Sequence, residues 1–279
     1  MHVVSKLVLP FLETMATQVC NLSCLGCTNY SDLQHKGYTP WKELEEDLTR
    51  WLEVFDIPDF GIMGGEPLIN PEIHEWLYGV RRLLPESQIR FTTNGILLNR
   101  HLDIIDVAHE IGNVVFKITA HTDVDDTIDK IFKRYKWEPV TEFGIQRWKT
   151  TNGLRFQVNR PEKFVKTYRG SYNNMLPWDS NAVESFDLCI QQRCPLLYRG
   201  RIYKCSTQGL LEDTLIRLGN PNKERWDPYL GHSISPNDPT EKLSQFVANF
   251  GKPHSICRMC PTVKDTDALV NHKITVIRK

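Results

Sequence analysis

Eight cysteines are the first chemical signal in this sequence of 279 residues. Cys20, Cys24 and Cys27 form C-x3-C-x2-C, Cys189, Cys194 and Cys205 follow a long cysteine-free stretch, and Cys257 and Cys260 form C-x2-C. In a reducing compartment such spacings favour metal ligation over disulfides, because thiolates two to four residues apart converge on one metal or cluster. Three thiolates on one tight loop hold three irons of a cubane and leave the fourth iron open. Zinc is the structural alternative and needs a fourth donor, for which His35 is nearby. The spacing favours the cluster.

The elements that must position these residues follow from periodicity. Phe11 to Gln18 reads as a strand running into Cys20, and Thr39-Pro40 opens a helix striped by Trp41, Leu44, Leu48, Trp51 and Phe55. Phe60 to Met63 is a short strand ending at Gly64-Gly65, and Asn70-Pro71 opens a helix carrying Ile73, Trp76, Leu77, Val80 and Leu84. Strands at 89–93 and 114–119 alternate with helices at 99–111 and 124–135. Such alternation implies parallel βαβ units with helices covering the sheet. After Trp137 the rhythm changes: Val140 to Trp148 and Leu154 to Val158 read as strands joined at Thr150-Thr151-Asn152-Gly153, a hairpin signal. Residues 161–188 read as irregular, and the last hundred residues show few helical stripes.

Cys20-x3-Cys24-x2-Cys27 after the first strand, Gly64-Gly65-Glu66-Pro67 after the second and Thr92-Thr93-Asn94-Gly95 at the third strand's end stand in a fixed order. This set resembles the radical S-adenosylmethionine (radical SAM) superfamily over about the first 120 residues. The resemblance implies a [4Fe-4S] cluster on the three cysteines, with SAM chelating the fourth iron and cleaved reductively to a 5′-deoxyadenosyl radical that takes a substrate hydrogen atom. It further implies Gly64 and Gly65 beside the methionine part of SAM, where no Cβ intervenes, Glu66 near its amino group, and Asn94 and Thr119 near ribose or carboxylate. Members commonly carry an aromatic residue where this chain has Gly26; Tyr30 is then the candidate for the adenine contact. His121, just beyond a strand end, is the candidate proton donor or acceptor.

Gly200-Arg201-Ile202-Tyr203-Lys204-Cys205 resembles the β-hairpin of SPASM and twitch auxiliary-cluster domains. The resemblance implies a second [4Fe-4S] cluster on Cys205, Cys257, Cys260 and one of Cys189 or Cys194, the distance to Gly200 favouring Cys189. A single zinc in these positions is the alternative. The expected architecture is α/β: a shortened partial (β/α) TIM-like barrel over 1–180, a small cysteine-rich twitch-like domain over 181–265 and a tail over 266–279.

Thirty-four basic residues balance thirty-four acidic ones, so no overall footprint for nucleic acid or membrane appears. Apolar runs fall short of the roughly 20 residues of a membrane helix, and the first residues lack secretory-signal features; a cytoplasmic location is expected. From Arg147 to Arg169, basic residues interleave with Trp148, Phe156, Phe164 and Tyr168, a pattern that suits phosphate or nucleobase partners, although a solvated face above ordinary core aromatics explains it more simply. The expected function is radical SAM hydrogen abstraction, an oxidoreductase or isomerase reaction, on a small metabolite, with flavodoxin or ferredoxin as electron donor. A nucleotide or nucleic-acid base is the second substrate class. A non-catalytic zinc or iron–sulfur module is the alternative of another kind, and Gly64-Gly65-Glu66-Pro67 argues against it.

Overall fold

Strand residues of alternating character leave one face apolar and one polar, and that alternation organises the molecule. The computed structural model describes residues 6–33, 35–136, 138–142, 145–149, 154–161, 163–271 and 274–276. Its principal sheet contains β1 (Leu12–Met15), β2 (Asp59–Met63), β3 (Gln88–Thr93), β4 (Val114–Thr119), β5 (Glu138–Glu142), β6 (Ile145–Lys149), β7 (Arg155–Asn159), β8 (Leu196–Tyr198), β9 (Arg201–Tyr203) and β10 (Ser233–Ile234). They run in the order β10-β9-β8-β1-β2-β3-β4-β7-β6-β5. Every pairing from β8 through β1, β2, β3 and β4 to β7 is parallel. The outer pairs are antiparallel. This is an α/β fold with a mostly parallel sheet, a partial TIM-like barrel.

Helices α1 (Trp41–Leu52), α2 (Ile73–Leu83), α3 (Asp103–Ile111) and α4 (Asp125–Tyr135) cover one face of the sheet. Their stripes, such as Trp41, Leu44, Leu48 and Trp51, pack against Phe60, Ile62, Phe91, Phe116 and Phe156 in one core. Gly79 lets α1 and α2 approach: a Cβ there would lie 2.1 Å from the Trp41 ring. The opposite face of β3 carries Gln88, Arg90 and Thr92, which remain partly exposed. Polar residues thus face the lumen and apolar ones face the helices.

Several expectations are corrected. Thr39 does not cap α1; its hydroxyl donates to Met15 O at 3.1 Å, while the Trp41 N–H donates to Glu72 Oε2 at 2.7 Å. The cap comes from the residue that precedes α2. The run 140–148 is not one strand: β5 ends at Glu142, and β6 returns antiparallel from Ile145. The proposed turn at 150–153 lies outside the described residues, though β6 and β7 are antiparallel as a hairpin requires. Residues 161–188 contain α5 (Ala182–Leu188), seven residues capped by Asn181 Oδ1, which accepts from Val183 N and Glu184 N. The C-terminal part holds three more helices, α6 (Ser206–Gly209), α7 (Leu211–Leu218) and α8 (Thr240–Ala248).

The cysteine-rich segment shares the barrel's sheet. Arg199 and Gly200 both have positive φ, as a two-residue turn of type I′ requires, and close the β8–β9 hairpin. The hairpin lies beside β1 through Leu196↔Glu13 and Leu197↔Thr14, and Trp51 Nε1 donates to Gly200 O. Two further ribbons tie distant segments: Lys163–Val165 pairs with Leu269–Asn271, and Leu22–Cys24 with Ile274–Val276. Much of the segment expected as a tail is therefore paired strand.

Candidate functional site

The first cysteine loop leaves β1 beside the turn that leaves β2. Gly65 N donates to Thr17 O at 2.7 Å and Glu66 N to Val19 O at 2.8 Å. A Cβ on Gly64 would stand 2.6 Å from Thr17 O, and one on Gly65 2.3 Å from Val19 O. Both glycines are needed first for backbone to lie on backbone, which brings the two loops together. Cys20 Sγ accepts from Leu22 N at 3.4 Å, and Cys27 N donates to Cys24 O at 3.1 Å, folding the loop back on itself. Gly26 has φ +77° and lies under the Lys166 backbone, where a Cβ would stand 3.3 Å from Lys166 Cα. A neighbouring strand segment thus covers the position where an aromatic residue was expected.

Burial pushes the Cys20 thiol up to about 12 and raises Cys24 and Cys27 as well; the negative charges of Cys20 and Cys27 raise Cys24 further. Thiols raised in this way become thiolates most readily around a strong positive centre such as a bound metal. Among the described residues no three His, Cys, Asp or Glu side chains stand close enough to hold one metal ion. Three cysteines on one loop are the donor type that a [4Fe-4S] cluster takes. His35 is buried with Nε2 3.0 Å from Tyr30 O, so its ring is engaged away from the thiols.

Glu66 is fully buried and joins two loops. Its Oε1 accepts from Thr93 Oγ1 at 2.7 Å and Leu68 N at 3.2 Å, and its Oε2 accepts from Asn94 N at 2.8 Å. Burial, partly offset by these donors, pushes its carboxyl up to about 7. Asn94 in turn donates to Asn21 Oδ1 at 2.7 Å and reaches Cys20 Sγ at 3.9 Å. The three motifs therefore meet in space, linked as Glu66–Asn94–Cys20. Both Glu66 carboxylate oxygens thus accept from this chain's own donors.

The remaining candidates lie apart from that chain of contacts. Thr119 ends β4, half-buried, opposite Asn159. His121 is half-buried, with its ring 5.4 Å from that of Phe164. Tyr30 is buried in a second apolar cluster with Met15, Met63, Tyr168 and Met259, and its hydroxyl donates to Thr207 O at 3.3 Å. That placement gives Tyr30 a packing role between the barrel and the cysteine-rich segment in place of an adenine contact.

The C-terminal cysteines have different electrostatic neighbours. Cys189 ends α5, Cys205 precedes α6, and Cys257 and Cys260 sit on the turn Ser255–Met259. Burial raises all four thiols; Cys189 and Cys257 further raise Cys205, and Cys205, Cys189 and Cys257 further raise Cys260. Lys204 opposes the effect at Cys189, Cys205 and Cys257. Cys194 lines the barrel lumen. Cys189 acts electrostatically on Cys205 and Cys260, whereas Cys194, which also feels Cys189, is affected, after burial, first by Glu13 and Lys117.

The described residues of the basic aromatic stretch point to several different surroundings. Phe156 stacks on Phe116 in the core, Tyr168 is buried, Arg155 meets Gln88, Arg160 pairs with Asp125, and Arg169 donates to Pro177 O. Side chains of Arg147, Trp148 and Lys149 lie outside the described residues.

Sequence reasoning missed a polar bridge between the two cysteine regions. Asn29 Nδ2 donates to Gly64 O at 3.2 Å, Ser206 Oγ donates to Asn29 Oδ1 at 2.6 Å, and Thr207 Oγ1 lies 3.1 Å from Thr28 O and 3.0 Å from Gln191 Oε1, its one hydrogen serving the two acceptors. Thr28-Asn29 directly after Cys27 and Ser206-Thr207 directly after Cys205 were the available signal.

Residues 15–143 match the radical SAM superfamily. Among curated proteins, the chain is 31% identical to the GTP 3′,8-cyclase of Microcystis aeruginosa over 144 residues, 49% of this chain and 42% of that protein. It is 27% identical to molybdenum cofactor biosynthesis protein 1 of Dictyostelium discoideum over 152 residues, 53% of this chain and 23% of that protein. The chain thus spans less than half the length of these two relatives. The crystal structure of BtrN in complex with AdoMet and 2-DOIA superposes with a TM-score of 0.50, covering 93% of this chain and 95% of that one at 14% identity, a likeness of fold. Among the described residues no helix is long and apolar enough to cross a membrane.

Proposed function

From the match of residues 15–143 to the radical SAM superfamily, we propose that this chain is a radical SAM enzyme that abstracts a hydrogen atom from a small molecule. The observation that carries this reading is the contact chain Glu66–Asn94–Cys20, which joins the three motif-bearing loops into one site. Cys20, Cys24 and Cys27 would hold the [4Fe-4S] cluster. When bound, cluster and SAM supply a 5′-deoxyadenosyl radical and methionine. The chain's own residues arrange the site: Gly64 and Gly65 seat one loop on the other, and Glu66 fixes the Asn94 backbone. Asn94 bears on the first cysteine. Such strand-end loops are where parallel barrels carry their chemistry.

Cys189, Cys205, Cys257 and Cys260 would hold a second, auxiliary [4Fe-4S] cluster in a twitch-like segment, with flavodoxin or ferredoxin as donor of the reducing electron. A purine nucleotide is the second substrate class, supported by the likeness to GTP 3′,8-cyclases. Anaerobic reconstitution tests the reading. About eight irons per chain, and 5′-deoxyadenosine formed on adding dithionite and SAM, are expected for two cubanes. About four irons plus one zinc would make the C-terminal site structural, and zinc alone with SAM intact would overturn the assignment.

A further inference from the structure

Inside the partial barrel, a cavity of about 280 Å³ is lined by Phe11, Glu13, Gly61, Arg90, Lys117 and Cys194 among others. Its other walls include Met63 and Thr92, each adjacent in sequence to the loops that carry Gly64 and Asn94. That volume is at the small end for ligand sites and suits a small molecule. Gly61 opens it: a Cβ there would stand 2.9 Å from both Glu13 Cβ and the Phe11 ring.

An acidic and a basic side chain, Glu13 and Lys117, face this space, each acting on the other electrostatically but with no hydrogen bond or ion pair of its own among the described residues. Glu13 is 8% exposed. The other cation, Arg90, already pairs with Asp59 and lies over the Phe11 ring, while Gln88 donates to the same Asp59. Arg193 is exposed and packs beside Gly251. A buried carboxyl and a half-buried ammonium left unpaired are costly unless a ligand completes them. Register explains their placement: Glu13 N donates to Pro195 O at 2.9 Å, which sets Cys194 beside Glu13, and Lys117 projects from β4.

We propose that Glu13 and Lys117 are the two anchors of the substrate, and that this substrate is a small zwitterion bearing both an ammonium and an oxyanion group. The assignment rests on the radical SAM reading and names the substrate class of the same site. Lys117 takes the carboxylate or phosphate, Glu13 takes the ammonium, and Phe11 and Met63 provide apolar wall.

Isothermal titration of the anaerobically reconstituted, SAM-saturated protein tests it, with O-phosphoethanolamine and β-alanine as zwitterions, myo-inositol as neutral polyol and succinate as dianion. A zwitterion is expected to bind at least about tenfold more tightly than inositol or succinate, and E13Q and K117M are each expected to weaken it by about tenfold or more. Tighter binding of succinate or inositol, no binding of either zwitterion, or unchanged affinity in both variants overturns the proposal. Iron content and far-UV circular dichroism check each variant's fold; should E13Q lose iron, E13D, which withdraws the carboxyl by one carbon, must show the same weakening. Iron content and 5′-deoxyadenosine formation in the same wild-type samples separate the two levels. If both persist when zwitterions fail, only the lumen assignment falls; if both are missing, the radical SAM reading falls with it.

Discussion

Replacing Glu13 with Gln should change how the protein's stability depends on pH. Burial pushes this carboxyl from its ordinary 4.5 up to about 8, against the opposing pull of Lys117 and Arg90. Between those two values the folded chain holds a proton that the unfolded chain has released, so stability falls as pH rises through that window. Each pH unit costs about 1.4 kcal/mol, and the full interval roughly 5 kcal/mol by pH 8. Gln is neutral throughout and escapes this penalty. The advantage of E13Q over wild type should therefore be small near pH 5 and grow to its full value near pH 8.5. For a chain of this size the difference in melting temperature would be on the order of 10 °C. Scanning calorimetry of the anaerobic holoprotein at several pH values between 5 and 8.5 measures it. Parallel curves for the two proteins would refute the reasoning, because they would mean that Glu13 titrates alike in both states.

Three further outcomes follow from the site's geometry. C189A should lose about four of roughly eight irons whereas C194A should keep them all, as iron analysis and electron paramagnetic resonance would show; equal loss in both would dissolve the grouping of four. G65A forces a methyl toward Val19 O at 2.3 Å, and should cost about 1–3 kcal/mol of stability by chemical denaturation while lowering SAM affinity in equilibrium dialysis. E66Q places an amide where Glu66 now accepts from Leu68, Thr93 and Asn94. It should lose about 1–3 kcal/mol and slow 5′-deoxyadenosine formation, with unchanged kinetics removing Glu66 from its positioning role.

The first half of the fold was legible because its helices carry long apolar stripes and its strands alternate. The motif residues were legible because they sit at strand ends, where spacing alone marks them. What escaped was decided by tertiary contact. Glu72 capping α1 comes from another helix, and α5 is seven residues long with too little periodicity to register. Tyr30 was placed by its nearness to Cys27 in sequence, yet its positive φ turns the ring into the core beneath Thr207. Gly64 and Gly65 were read as leaving room for a ligand, and the close backbone of Thr17 and Val19, which a Cβ on either would meet, could be found only in the folded chain. The lumen pair was invisible to motif reading, since Glu13 and Lys117 are ordinary strand residues until the sheet curls.

The pairing of Leu22–Cys24 with Ile274–Val276 has a consequence for how the protein is made. A ribosome delivers these two strands far apart in time: at about 5–20 residues per second, roughly 10 to 50 seconds separate them. During that interval the first three thiols have emerged without the strand that braces their loop, or the Leu269–Asn271 segment whose Val270 lies beside Gly26. Iron loading of the finished geometry is thereby placed after synthesis of residue 276. Early exposure to oxidant would consume thiols that the completed protein half-buries.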